Sequence, residues 1–489
     1  MKIVNSFLAI GKDTPSLHHA PFVVTVTDSF HLPSSLNNLQ QPPLTPSFFN
    51  ELTFNLTYPR SGSLKSRQHM CEQQQQQLPL SPEQVSTYLR DGVLVVDNLL
   101  SPSEIYSAQA SLAQTLSNDL NVDVNDLETT GHNLINASST NGAGGVLDIF
   151  YPDWKMAIAT NDLLFRMTCQ LWKEAYSNGE NEDDVRWHPY GTFDYNIGYM
   201  YIDRIGFRLP SKLAESIGKR QLILNNEDAT QDNDTTIPTK KKKKKQKKPR
   251  AIQRSLTPHF DLCPETYHDI TNKNKWRPIQ CFVSLTDNLL PNTGGFEAAP
   301  GFHREFHSWV QNGRRLGSRS DGGGLETPII DDGDKLGHKQ PCIGEYTHVH
   351  DRELMKRVQH ISVKAGDVVF WDNRVPHGNA YRNDNEYCQP TIATSSSSSS
   401  SSKQLSSLPL QSSGARAVVY CSFLPDIPIN RRFVERQLID WKLGRAPRVG
   451  DRWIKQEEEE DGDGHNNDSP RETVRLSELG RKLIGLDDW

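Results

Sequence analysis

Five short segments most constrain what this chain can fold into: "YNIGYMYID", "RPIQCFVSLTD", "RVQHISV", "DVVFWDN" and "ARAVVYCSFL". Each is rich in β-branched and aromatic residues, a composition that suits a pleated, half-buried surface. Turn signals separate them, among them Gly294-Gly295, Pro300-Gly301 and Gly366-Asp367. No regular helix alternates with these strands, so an antiparallel sandwich or barrel is favoured over an alternating α/β fold.

Helices are expected at the flanks. Ser81-Pro82-Glu83-Gln84 and Ser101-Pro102-Ser103-Glu104 each place a capping serine before proline, with a glutamine or glutamate three residues after the cap. That pattern starts a helix. "GVLVVDNLL" between them reads as a strand, giving helix, strand, helix to about residue 118. "NDLLFRMTCQLWKEAY" and "NRRFVERQLIDWKLG" carry helical spacing, the second with Val434, Leu438 and Trp441 in register and Gly444 as its stop.

The rest is polar. Residues 1–78 are rich in Ser, Pro, Asn and Gln and read as a disordered segment. The domain is expected over 79–450, with insertions at 224–250 and 390–413, followed by an acidic linker and short C-terminal segment at 451–489. The first insertion holds eight lysines broken by Gln246, and the second holds eight consecutive serines. Such segments are tolerated in surface loops because closure entropy grows slowly with length. They also explain a hydrophobic content of only 35%, low for an enzyme of 489 residues.

A net charge of −6 argues against nucleic-acid affinity of the whole chain. Seven scattered cysteines without a C-x-x-C pair fit reduced thiols in an intracellular compartment. No apolar run approaches the roughly 18 residues of a membrane span. The start "MKIVNSFLAIGK" is a poor signal peptide, and the end "DDW" is no peroxisomal address. A cytoplasmic protein is expected, with nuclear import by the lysine run as the alternative; oligomeric state is not readable.

Chemistry enters with "SLTPHFDLC". On an extended strand His259 and Asp261 face one way and Phe260 the other. Roughly two H-x-D/E triplets are expected by chance in a chain of this composition. A second does occur, His303 with Glu305. A third ligand must come from elsewhere, and His377 in "VKAGDVVFWDNRVPHGNA", just past an apolar strand, is the best offer. Two histidines and one carboxylate on one face of an iron leave neighbouring positions open, the pattern of non-haem Fe(II) oxygenases. A zinc hydrolase is the chemical competitor, but no H-E-x-x-H helix supports it.

Five blocks, "LSPEQVSTYLRDGVLVVDNLLSPSEI", "PHFD", "PIQCFVSLTDNLLPNTGGFEAAPGFHREFH", "AGDVVFWDNRVPHGN" and "ARAVVYCSFLP", together resemble the phytanoyl-CoA dioxygenase family, in the family's order over about residues 81 to 425. The resemblance implies a double-stranded β-helix, or jelly roll, that binds Fe(II) and 2-oxoglutarate and uses O2. It implies that His259, Asp261 and His377 are the iron ligands, and that an intact Asp261 favours hydroxylation. It also implies an arginine clamp for the far carboxylate of 2-oxoglutarate: Arg416, at the start of a strand, or the loop residue Arg382. His303 and Arg208 are expected on the cosubstrate side. Phe370 and Trp371 are expected in the barrel, and the glycine-rich stretch of about 311 to 350 as a lid.

The function expected is therefore hydroxylation of a small-molecule or acyl-type substrate, coupled to decarboxylation of 2-oxoglutarate to succinate and CO2. Two alternatives stand beside it: a catalytically idle jelly-roll binding module, and a Jumonji-type protein hydroxylase or demethylase. Neither the substrate nor the use of a CoA ester is readable from these residues.

Overall fold

In the computed structural model of the chain, Ser81 begins a ten-residue helix, α1 (Pro82–Asp91). Its hydroxyl accepts from the Gln84 amide, and the Gln84 side chain accepts from the Ser81 amide. Ser101 and Glu104 repeat this reciprocal device at α2 (Pro102–Leu120). Each such cap is worth about 1 kcal/mol. Gly92 ends α1 at φ 63°, a left-handed conformation that glycine adopts without a Cβ penalty, and the chain turns into strand β1 (Val93–Val96).

The structure describes residues 78–177, 184–231, 250–267, 270, 273–311, 347–387, 410, 413–447 and 475–489. The expected N-terminal segment, the lysine, serine and acidic runs, and most of the expected lid lie outside these residues.

After α2 come β2 (Val146–Leu147), α3 (Asp153–Ala159), α4 (Asp162–Ala175), β3 (Gly198–Tyr201), β4 (Ile205–Arg208) and α5 (Ser211–Gln231). Then follow β5 (His259–Phe260), β6 (Ile279–Ser284), β7 (Phe296–Ala298), β8 (Thr347–His348), β9 (Gln359–His360), β10 (Val368–Asp372), β11 (His377–Asn379), β12 (Arg416–Pro425), α6 (Pro428–Lys442) and α7 (Glu478–Leu483).

Among the described residues the strands form two antiparallel sheets. The larger runs β1-β10-β6-β12-β4-β2, with β3 also on β12; the smaller runs β8-β5-β11-β7-β9. The two face each other: Phe282 and Trp371 of the large sheet meet Phe296 of the small one at 5.4 and 5.0 Å between ring centroids. This is the expected jelly roll, mainly β with flanking helices, and it is not a closed barrel.

Period-two alternation divides the large sheet into two faces. On β10, Val368 and Phe370 join the helix-side core while Val369 and Trp371 join the cluster between the sheets. On β12, Ala417, Val419, Cys421 and Phe423 face the helices, and Val418 and Tyr420 face inward. The helix side is the main core, where α4 brings Phe165 to 5.2 Å from Phe423 and buries Trp172 completely. Each such side chain contributes roughly 1.5–3 kcal/mol by leaving water.

Four details differ from the sequence expectation. α5 continues to Gln231, past the expected start of the insertion at 224. In α6 the buried positions are Ile429, Asn430, Phe433, Val434, Gln437 and Asp440, while Leu438 and Trp441 are only partly covered. The C-terminal segment belongs to the domain, since Leu483 and Ile484 are buried in the helix-side core and Trp489 packs on Phe165. Cys263 is disulfide-bonded, whereas Cys169, Cys281 and Cys421 are free thiols as expected. Among the described residues, no helix is long and apolar enough to cross a membrane.

Candidate metal centre

The small sheet brings the two distant halves of the sequence pattern together. His377 on β11 lies directly opposite His259 on β5. Directly paired residues point to the same side of a sheet, so both rings share a face, with centroids 4.5 Å apart. Gly378 makes the close approach possible: a Cβ there would lie 2.6 Å from the Leu256 carbonyl oxygen. Without one, the segment before His259 crosses β11, where the Asn379 amide donates to Leu256 O and the Leu256 amide donates to the Asn379 side-chain Oδ1.

Among the described residues, His259, Asp261 and His377 are the group whose donor atoms converge, all within 4.8 Å of one another. Each imidazole is aimed by a backbone carbonyl. His259 Nδ1 donates to Thr257 O at 2.9 Å, and His377 Nδ1 to Val375 O at 3.1 Å. This fixes the tautomer and turns both Nε2 lone pairs toward Asp261, an outer-shell arrangement common to metal-binding histidines. Nε2 of His259 is 3.4 Å from Asp261 Oδ1, and Nε2 of His377 is 3.6 Å from Oδ2. Donors about 2.1 Å from a common ion at right angles lie about 3.0 Å apart, so these groups need little movement to share one.

Electrostatics favour the ligand forms. Burial lowers His377 below its ordinary value, and the neighbouring His259 adds to the effect, keeping the ring neutral. Burial would raise Asp261, but hydrogen bonds and charge from the facing imidazoles, while protons sit on their Nε2 atoms, outweigh it and hold the carboxyl well below the usual range. A metal ion would displace those protons and supply positive charge in their place. An ionised carboxylate and neutral rings are what a divalent metal requires. Two nitrogens and a carboxylate oxygen suit ferrous iron, with further positions open.

Arg416 faces the space between the sheets, in register with Val418 and Tyr420. It is buried, and its guanidinium lies over the Phe282 ring at 5.2 Å. Nη1 reaches Tyr420 Oη only at 3.5 Å, and Nη2 has no hydrogen-bond partner. Phe282 touches Phe296, whose ring lies 6.0 Å from that of His377, so two aromatic rings link the arginine to the metal group between the sheets. A buried cation with an orphaned donor fits an anionic ligand such as a carboxylate.

Arg208 pairs directly with Arg416 across β4 and β12. It is held by the Ala380 and Tyr381 carbonyls, and burial together with Arg416 pushes it down to about 10. Arg382 is exposed and pairs with Asp384 at 3.3 Å. His303 is not brought to the metal group: its Nε2 donates to Leu89 O at 3.2 Å, and it lines a small cavity with Tyr88, Asp372 and Arg374. Trp371 lies 5.1 Å from the His377 ring, between the sheets as expected, whereas Phe370 is buried on the opposite face among the helices, because alternation along β10 sends neighbouring side chains to opposite sides.

Two neighbours of the group escaped the sequence reading. His348 sits opposite His259 on β8 and bonds Thr257 Oγ1 at 2.9 Å. Arg277 approaches Asp261 Oδ2 at 3.4 Å. The histidine was reachable from strand pairing; nothing in "KWRPIQ" marks the arginine.

No family model matches the chain, and no curated protein does. Among solved structures it is similar to GlcNAc Inducible Gene 2, GIG2 (DUF1479), from Candida albicans, with 13% identity and a TM-score of 0.48, covering 84% of this chain and 78% of that one. It is also similar to the epimerase SnoN in complex with Fe3+, alpha ketoglutarate and nogalamycin RO, at 12% identity and a TM-score of 0.33, over 70% of this chain and 82% of that one. A third is EctD from S. alaskensis with 2-oxoglutarate and 5-hydroxyectoine, at 12% identity and a TM-score of 0.35, over 71% and 77%. The fold assignment rests on the two sheets, and the site on its own geometry.

Proposed function

We propose that the chain is an Fe(II)/2-oxoglutarate-dependent dioxygenase of the phytanoyl-CoA dioxygenase kind, hydroxylating a small-molecule or acyl-type substrate. The observation that carries this reading is the convergence of His259 Nε2, His377 Nε2 and the Asp261 carboxylate, with both Nδ1 atoms tied to carbonyls. His259, Asp261 and His377 hold the iron. Arg416 takes the far carboxylate of 2-oxoglutarate through its orphaned Nη2, and Arg208 adds positive charge behind it. Bound iron with 2-oxoglutarate and O2 supplies the oxidising chemistry and releases succinate and CO2. The protein's part is to orient the ligands and exclude water: Phe282, Phe296 and Trp371 wall the space with apolar surface.

The test is stoichiometric Fe(II) binding together with succinate formation from 2-oxoglutarate, screened against a metabolite extract. Asp261→Ala loses both. A purified wild-type protein that binds neither iron nor 2-oxoglutarate is instead a jelly-roll binding module. Turnover stimulated by a protein substrate and by no metabolite points to a protein hydroxylase or demethylase.

A further inference from the structure

Asp261 does not stand alone beside the two histidines. Arg277 bridges two carboxylates with its two terminal nitrogens, Nη2 to Asp261 Oδ2 at 3.4 Å and Nη1 to Asp203 Oδ2 at 3.2 Å. Its guanidinium carbon lies 4.4 Å from the centroid of the Tyr201 ring, which stacks it from one side. Asp203 is fixed in turn: its Oδ1 accepts from the Arg204 amide at 2.8 Å and faces the Arg204 guanidinium at 3.9 Å. Arg204 Nε ends the series on Asp148 Oδ1 at 2.6 Å. Charges of alternating sign thus run from the half-exposed Asp148 through the β3–β4 turn to the carboxylate at the metal group.

We propose that Arg277 is a positioning residue for the metal centre: spanning Asp203 and Asp261, it holds Asp261 Oδ2 and presents Oδ1 to the ion. The inference rests on the metal-binding reading given above. A carboxylate on a short side chain can rotate, and a metal site loses affinity when its ligands are left to find their own orientation. Arg277 removes that freedom because a planar guanidinium can engage two carboxylates through different nitrogens. A lysine, with one ammonium group, cannot reproduce this fork.

The experiment is titration of the full chain with Co(II), followed by calorimetry and by the visible absorption of the bound ion. Arg277→Met is expected to weaken Co(II) binding about 10- to 100-fold and to alter the Co(II) spectrum. Arg277→Lys keeps the charge yet still alters the spectrum. Asp203→Asn leaves Arg277 in place but loosens its anchor, and is expected to weaken binding by a smaller factor; it also serves if the methionine variant does not fold. Wild-type affinity and an unchanged spectrum in both Arg277→Met and Asp203→Asn, or in Asp203→Asn alone should the first not fold, overturn the proposal while leaving the metal site standing. Failure of the wild type to bind Co(II), or undiminished binding by His259→Ala, overturns the metal reading and Arg277's role with it.

Discussion

Asp372, at the end of β10 in the large sheet, and Asp261, just after β5 in the small one, are two carboxylates that each face an arginine, and their surroundings are built in opposite ways. Asp372 is fully satisfied. It accepts from Arg374 Nε at 2.8 Å, Arg374 Nη2 at 2.6 Å, the Arg374 amide at 2.9 Å and Tyr176 Oη at 2.7 Å. Arg374 spends its remaining nitrogen on Val185 O at 2.7 Å. Asp261 has only long contacts, at 3.4 to 3.6 Å, to two imidazoles and one guanidinium. Between the sheets Arg416 likewise keeps an unpartnered nitrogen. A network that closes on itself fixes the fold; one with donors and acceptors left at arm's length is shaped around something else.

The contrast can be broken most forcefully at Asp261. Asp261→Ala is expected to weaken divalent-metal binding by at least about 100-fold, read by calorimetry, while the apo protein melts close to the wild type. Asp372→Ala should do the reverse. Removing one partner of a buried ion pair costs about 3–5 kcal/mol, measurable by urea unfolding, and metal binding by the protein that remains folded should be little changed. If Asp372→Ala were as stable as the wild type, the closed network would lose its structural meaning.

Arg416→Met tests the open side more finely. It should weaken 2-oxoglutarate binding about 30-fold, near 2 kcal/mol, because a charged hydrogen bond is lost. Apo stability should hold or rise, since an orphaned buried cation leaves with it. The smallest effect expected is with acid. The Arg374 guanidinium outweighs burial and holds Asp372 at about 2, below its value of 3.8 in the unfolded chain. A depressed carboxyl contributes stability that is present above the unfolded value and is lost as pH falls through about 2. The shift corresponds to about 2 kcal/mol, to be seen as a fall in unfolding free energy from about pH 4 downward that Asp372→Ala does not share.

What the sequence made legible follows from how far each signal reaches. Capping boxes at Ser81 and Ser101 act over three residues, and both formed as expected. Strands β6, β10 and β12 are long enough to show their composition. The small sheet was harder to read, because β5, β8 and β9 are two residues each and too short to display any alternation. His259, Asp261 and His377 could be picked out as a group, but the Nδ1 bonds that aim the rings and the Arg277 bridge arise only from tertiary packing. His303 was expected at the site from the family resemblance alone; the left-handed Gly301 instead sets it beside Leu89 at the end of α1. Cys263 looked like any scattered thiol, because pairing depends on which segments meet in space.

The face-to-face placement of Arg208 and Arg416 has a bearing on how this protein tolerates change. A slip of one residue of β4 along β12 would swing the Arg208 guanidinium away from Arg416, out of the inter-sheet space and into the layer of Phe207, Val419 and Trp172, where neither water nor a counter-ion could meet it. The same two cations that suit an acidic guest therefore police strand alignment. Substitutions that slacken this pairing should blunt ligand capture well before the chain loses its shape.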